Sequence, residues 1–202
     1  MSIQERKERQ KEEVRTAILE AARKIAESEG WEAVSLRKIA EIIEYSAPLI
    51  YSYFSCKEAI LLEFVKQGCE IQCRAMRKAK ETAEDPAGQL LAMAMASWHF
   101  VVKKQLYYQL MYGVKVAPCA ISCNEVAAAR QELRDIVYST VQTIIAQSDK
   151  PDTNPEIKLL AFWSIVHGVA SLYIARVADR RMDEYKAILE DGILGIIRTL
   201  EV

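Results

Sequence analysis

Between Ser35 and Lys57 the chain concentrates side chains that can hold phosphate. They are the hydroxyls of Ser35, Ser46, Tyr51 and Ser52, the guanidinium of Arg37 and the ammonium of Lys57. Donors of this kind position a protein on a nucleic-acid backbone. Ala47, Pro48 and Leu49 lie among them, small or apolar, as a surface laid against base edges requires. A second constellation joins Trp163 to His167, four residues apart on one helical face. With Trp98, Phe100, Tyr107, Tyr108 and Met111 it can line an apolar ligand pocket anchored by one imidazole, or serve as ordinary core. A third comprises Cys69 with Cys73 and Cys119 with Cys123. Thiolates at i and i+4 can share a metal or a redox event. Small, soft side chains packed inside helices fit the same spacing, and no histidine is near either pair.

Enzymatic chemistry finds no support. The sequence holds no phosphate-binding glycine loop, no nucleophile with a base nearby, and only two histidines. No cofactor and no metal site is expected.

The elements that must position these residues are helices. Val14, Ile18, Ala21, Ala22 and Ile25 recur at three- and four-residue steps and predict a helix over residues 4–29. Its charged first turns are expected to fray, and Gly30 to end it in a left-handed cap. Ser35 caps a two-turn helix carrying Leu36, Ile39, Ala40 and Ile43 inward. After a break at Glu44 and Tyr45, Ser46 caps a second short helix with Pro48 in its first turn and its hydroxyl on the Leu49 N–H. There Ile50, Tyr53 and Phe54 share the inward face, and Tyr51 points away. Ser55 and Glu58 have capping-box spacing, so a longer helix starts near Cys56 and runs to about Lys80. Helices follow from Asp85-Pro86 to Lys104, Gln105 to Tyr112 and Ala120 to Gln147. After the linker "SDKPDTNPE", a Thr153–Glu156 box opens a helix to about Ala178, and a last helix spans Asp183 to Leu200.

Composition agrees with an all-α protein. The 202 residues include 7 glycines and 5 prolines, and half are hydrophobic. Net charge is −1, and residues 1–57 carry 10 basic against 10 acidic side chains, so nucleic-acid binding must rest on local geometry. The polar opening "MSIQERKERQKEEVR" resembles no secretory signal, and no apolar run is expected to span a bilayer. These features predict a cytoplasmic protein with reduced thiols and no membrane partner.

Two short helices joined by a three-residue break and braced on a longer one form a helix-turn-helix, whose second helix enters the major groove. From Leu36 through "LIYSYF" to "KEAILL", the spacing resembles the TetR family of bacterial transcriptional regulators over residues 14–65. The matching positions are Ser35, Leu36, Arg37, Ile39, Ala40, Ser46, Ile50, Tyr51, Tyr53, Phe54, Lys57, Glu58 and Leu61. The family has glycine where Glu44 stands. Either Glu44 takes a left-handed backbone or the turn differs. "FWSIVHGVASLY" and "LYYQLMYG" resemble the ligand domain of the family's tryptophan–histidine–glycine subgroup.

The resemblance implies a helix-turn-helix domain over 1–56 and a helical ligand-binding and dimerisation domain over 57–202. The expected function is a repressor on double-stranded, palindromic operator DNA, released by a small apolar ligand, neutral or anionic. That charge expectation rests on the absence of acidic residues between Asp85 and Glu125, against Lys103, Lys104 and Lys115. The apolar last two helices, with Val169, Tyr173, Gly192, Ile193 and Ile196, predict a homodimer interface. Thiol or metal sensing through the cysteine pairs, and a protein-binding adaptor without DNA, are the alternatives.

Overall fold

The computed structural model describes residues 2–113, 124–177 and 181–201. Among these, every long element is an α-helix: α1 (Ile3–Glu29), α2 (Leu36–Ile42), α3 (Ala47–Tyr53), α4 (Lys57–Lys80), α5 (Pro86–Lys103), α6 (Gln105–Tyr112), α7 (Asn124–Gln147), α8 (Pro155–Ile174) and α9 (Met182–Glu201). The all-α expectation holds.

Helix termini follow local chemistry, with five departures from expectation. The charged start of α1 is helical from Ile3. Ser2 Oγ accepts the Glu5 N–H at 3.1 Å while the Glu5 carboxylate accepts the Ser2 N–H at 2.7 Å, a complete capping box. Gly30 has φ 86° but ψ 161°, so it turns the chain through extended backbone rather than a left-handed helical cap. Ser46 caps α3 through its carbonyl, which accepts the Leu49 N–H at 3.0 Å, and its hydroxyl makes no cap bond. The Ser55–Glu58 and Thr153–Glu156 boxes do not form. Cys56 precedes α4 without a side-chain bond, and Asn154 caps α8 by accepting the Glu156 N–H at 2.9 Å.

The α2–α3 turn settles the Glu44 alternatives. Glu44 takes φ 58°, and the Tyr45 N–H reaches back to the Ala40 carbonyl at 3.0 Å. This is the six-residue loop that ends many helices, in which glycine is the unstrained occupant of the left-handed position. A glutamate there carries strain of about 1 kcal/mol.

The apolar core forms two clusters. The first joins Ile18 and Ile25 of α1, Ile39 of α2 and Ile50 of α3 to Ile60, Leu61 and Phe64 of α4. It continues into Phe100 and Val101 at the end of α5 and Tyr108 and Met111 of α6. The expected boundary at residues 56 and 57 therefore falls within one continuous cluster. The second cluster fills the body, with Met76, Leu90, Met93, Val137, Phe162, Leu189 and Ile193 at its centre. Helix α4 packs on α5, α6 and α7, and thus runs from the underside of α3 into the body.

Helix α8 corrects one expectation. By its 20 residues and mean hydropathy of 1.6 it is long and apolar enough to cross a membrane. Here Leu159, Phe162, Val166 and Ala170 are buried in the apolar core, while Ile157, Leu160 and Leu172 face outward.

Candidate nucleic-acid interface and effector site

Helix α3 shows two distinct faces. Ile50 is fully buried and Phe54 nearly so, which pins α3 against α1 and α4. Tyr51 is 51 % exposed, and Pro48 and Ser52 are also exposed or partly so, with Ala47 and Leu49 beside them. Tyr53 turns partly into the core, away from Tyr51, as the helical arc requires. On α2, Arg37 is exposed, while its neighbour Lys38 pairs with Glu29 at 2.5 Å.

Three of the expected residues already make local bonds, Ser52 and Lys57 as donors and Ser35 as an acceptor. Ser35 Oγ accepts the Lys38 N–H at 3.2 Å, and the Ser52 hydroxyl donates to the Leu49 carbonyl at 2.6 Å. Lys57 folds back so that Nζ donates to the Glu32 carbonyl at 3.2 Å and lies 5.3 Å from the Trp31 ring. Arg37, Ser46 and Tyr51 are exposed and take part in none of these bonds. Tyr45, 44 % exposed at the turn, joins the same surface; its break in the apolar pattern concealed it.

The head is tied to the body through Arg15. Its guanidinium pairs with Glu63 of α4 at 2.5 Å and lies 4.8 Å from the Phe54 ring at the end of α3.

The body holds a compact polar–aromatic cluster around His167. Its Nδ1 lies 2.8 Å from the Tyr108 hydroxyl, which donates when the ring proton is on Nε2. Tyr112 meets the imidazole at 4.3 Å between centroids, and Trp163 stacks on it at 5.5 Å. The Tyr112 hydroxyl donates to Oε1 of the buried Gln72 at 3.2 Å. Burial lowers the His167 pKa to about 4 and raises that of Tyr108 to about 12; burial likewise raises that of Tyr112. At neutral pH the cluster offers uncharged hydrogen-bonding groups on an aromatic wall.

Of the seven expected pocket residues, Tyr108, Trp163 and His167 come together. Trp98 lies elsewhere, 5.0 Å from the Tyr173 ring and 6.4 Å from that of Tyr185. Phe100 is core beneath the head. Tyr107 points about a quarter turn away from Tyr108 around α6, edge-on to Phe64 at 5.7 Å. Met111 is buried against Gly68 of α4, where an added Cβ would meet its Sδ at 2.5 Å. Adjacent aromatics on one short helix point in different directions, and that separates the set. Tyr112 and Gln72 escaped the sequence reading. Gln72 lies one position before Cys73 on α4 and is buried, where a polar residue needs a partner. Lys103 and Lys104 are exposed at the α5–α6 junction, and Lys115 lies outside the described residues.

The Cys69–Cys73 pair is deeply buried. Burial pushes the two thiols up to about 11 and about 12. Such groups stay protonated, which opposes both thiolate chemistry and metal ligation. Cys119 and Cys123 lie outside the described residues.

The outer face of α8 and α9 also differs from expectation. Ile193, Ile196 and Val169 are buried within the chain's own second cluster. Tyr173 packs on Trp98 and Tyr185. An added Cβ on Gly192 would stand 2.9 Å from Ile165 Cγ2, so this glycine admits α8 of the same chain. The exposed row is instead Ile157 (62 %), Leu160 (63 %), Ser164 and Leu172 on α8, with Ile188 on α9. Gly168 and Gly195 have open space where a Cβ would stand.

Comparison with known proteins agrees with this architecture. Residues 18–64 match the family described as bacterial regulatory proteins, tetR family. Residues 90–193, just over half of the chain, match the tetracyclin repressor-like C-terminal domain. No curated protein matches the chain. A solved structure of a protein of unknown function from Rhodococcus sp. RHA1 is similar, at 25 % identity and TM-score 0.79, over 93 % of this chain and 95 % of that one. The TetR family regulator PfmR from Thermus thermophilus has 21 % identity and TM-score 0.69, over 90 % and 97 %. A TetR/AcrR family regulator from Thermobifida fusca has 20 % identity and TM-score 0.67, over 92 % and 97 %. With its helix-turn-helix head and helical body, the chain belongs to the tetR family of bacterial regulatory proteins.

Proposed function

We propose that the protein is a cytoplasmic, homodimeric repressor that leaves a palindromic DNA operator when a small apolar ligand, neutral or anionic, enters its body. Its ligand domain is that of the tryptophan–histidine–glycine subgroup, with Trp163, His167 and Gly168 as the signature. Residues 1–56 form the reading head and residues 57–202 the body. The observation that carries the proposal is the division of α3, with Ile50 and Phe54 buried and Tyr51 exposed, while Arg37 of α2 is exposed as well. Such a helix can lie in a major groove with a phenolic hydroxyl on phosphate.

Dimerisation supplies the spacing. Two recognition helices must stand about 34–36 Å apart to meet successive major grooves. The exposed Ile157–Leu160–Leu172 row, with small residues at Ser164, Gly168 and Gly195, suits helices of a second copy in close approach. The path from ligand to DNA runs along α4. Gln72 of α4 is bonded to Tyr112 in the polar–aromatic cluster, and Glu63 of the same helix holds Arg15 of the head. A ligand changes DNA affinity only by binding the two poses of α4 unequally.

The test is binding to a selected operator with Tyr51→Phe and Arg37→Ala. Each variant should weaken binding about 3- to 10-fold, the worth of one hydrogen bond or phosphate contact, while the melting temperature stays unchanged. For Arg37→Ala, the slope of log affinity against log salt should also fall by about one. Unchanged affinity in both variants removes α3 and α2 from the interface. Absence of any salt-dependent duplex binding favours the adaptor alternative.

A further inference from the structure

The neutral His167 leaves open which group can hold a charged ligand, and Arg130 on α7 answers it. Its Nη2 donates to the Met111 carbonyl at 3.1 Å, at the C-terminal end of α6, beside the cluster of Tyr112, Gln72, Tyr108 and His167. Its positive charge acts on the Tyr112 hydroxyl and the Cys69 thiol, and no carboxylate acts on Tyr112. Among the described acids, Glu70 and Glu132 also act on the Cys69 thiol, opposite in sign to Arg130. Glu132, two residues on, pairs with Arg77, and Glu70 is exposed on α4. Among the described residues no carboxylate pairs with Arg130. A half-buried guanidinium with donors to spare beside an aromatic wall suits one ligand chemistry, a carboxylate on an apolar body.

We propose that Arg130 is the specificity-determining residue of the effector site and that the ligand is an apolar carboxylic acid. Its carboxylate lies on the guanidinium and its apolar part on Tyr108, Tyr112, Trp163 and His167. This rests on the ligand-responsive reading above and narrows its neutral-or-anionic class to the anion. The neighbours then have defined tasks. Gln72 holds the Tyr112 hydroxyl and the Tyr108–His167 bond fixes the wall, while the α6 carbonyl keeps the guanidinium aimed at the same end of the cluster.

The test uses two matched pairs of probes, decanoate against decanol and 4-phenylbutyrate against 4-phenylbutanol, titrated calorimetrically into the full-length protein and Arg130→Gln and Arg130→Lys variants. In at least one pair the acid should bind the wild type roughly 10- to 100-fold more tightly than its alcohol, the worth of a charge-assisted hydrogen bond. Arg130→Gln should abolish that preference while leaving alcohol affinity within about 3-fold. Arg130→Lys, which keeps the charge without the fork, should retain part of it. Loss of the bond to Met111 alone would weaken acid and alcohol alike, so that result overturns the proposal. Equal binding of acid and alcohol by the wild type, or an acid preference that survives Arg130→Gln, overturns it too and leaves the ligand-responsive reading intact. Failure of all four probes to bind overturns the proposal.

Discussion

Burial of His167 predicts a pH-dependent stability traceable to one side chain. The imidazole is held neutral in the folded protein, with a pKa of about 4, and titrates at 6.5 once exposed by unfolding. Between these values the unfolded chain binds a proton that the folded chain refuses. This contribution is therefore fully present above pH 6.5 and is lost as pH falls toward 4. The whole span is worth about 3 kcal/mol, and the part between pH 7.5 and 5.5 about 1.3 kcal/mol. The groups facing the ring are Tyr108, Tyr112 and Trp163, none of which titrates in this range. The perturbation is His167→Gln, which keeps an amide for the Tyr108 hydroxyl and removes the titration. Urea unfolding at fixed protein concentration, at pH 7.5 and 5.5, should show the wild type losing about 1.3 kcal/mol more than the variant over the interval. Equal losses would mean that His167 is protonated in the folded state and that the cluster is wetter than its packing indicates.

Three further outcomes follow from other sites. Glu44→Gly should raise stability by about 1 kcal/mol by relieving the left-handed turn, read as a higher denaturation midpoint. Leu160→Glu should dissociate the proposed dimer in sedimentation at micromolar concentration, whereas Ile193→Ala should lower stability by about 2–5 kcal/mol because its side chain is fully buried. Gly192→Val should destabilise by about 1–3 kcal/mol, because the new branches press on Ile165, while Gly195→Ala should be tolerated by the isolated chain.

The head was largely legible because its constraints are local. The three- and four-residue recurrence through Ile18, Ile39 and Ile50 faces a single core, so spacing and burial coincide. At Glu44 the sequence left two alternatives, a left-handed backbone or a different turn, and the structure shows the first. In the body, α8 is apolar nearly all the way round, so periodicity cannot tell Val169, which faces inward, from Leu160, which faces out. Gly192 and Gly195 look alike in sequence, yet one admits a helix of the same chain and the other faces open space. The polar–aromatic cluster was half visible. Trp163 and His167 share a helix face, but Tyr112 and Gln72 come from two other helices, and only tertiary packing unites them.

The first apolar cluster bears on how such proteins can be recombined. Ile50 and Phe54, which support α3, belong to one cluster with Phe64, Phe100 and Tyr108 of the body. The exchangeable unit is therefore larger than the matched segment 18–64. A chimaera that moves α1–α3 onto a foreign body inherits a mismatched floor beneath α3. The head will keep its specificity only if the first half of α4, the end of α5 and all of α6 travel with it.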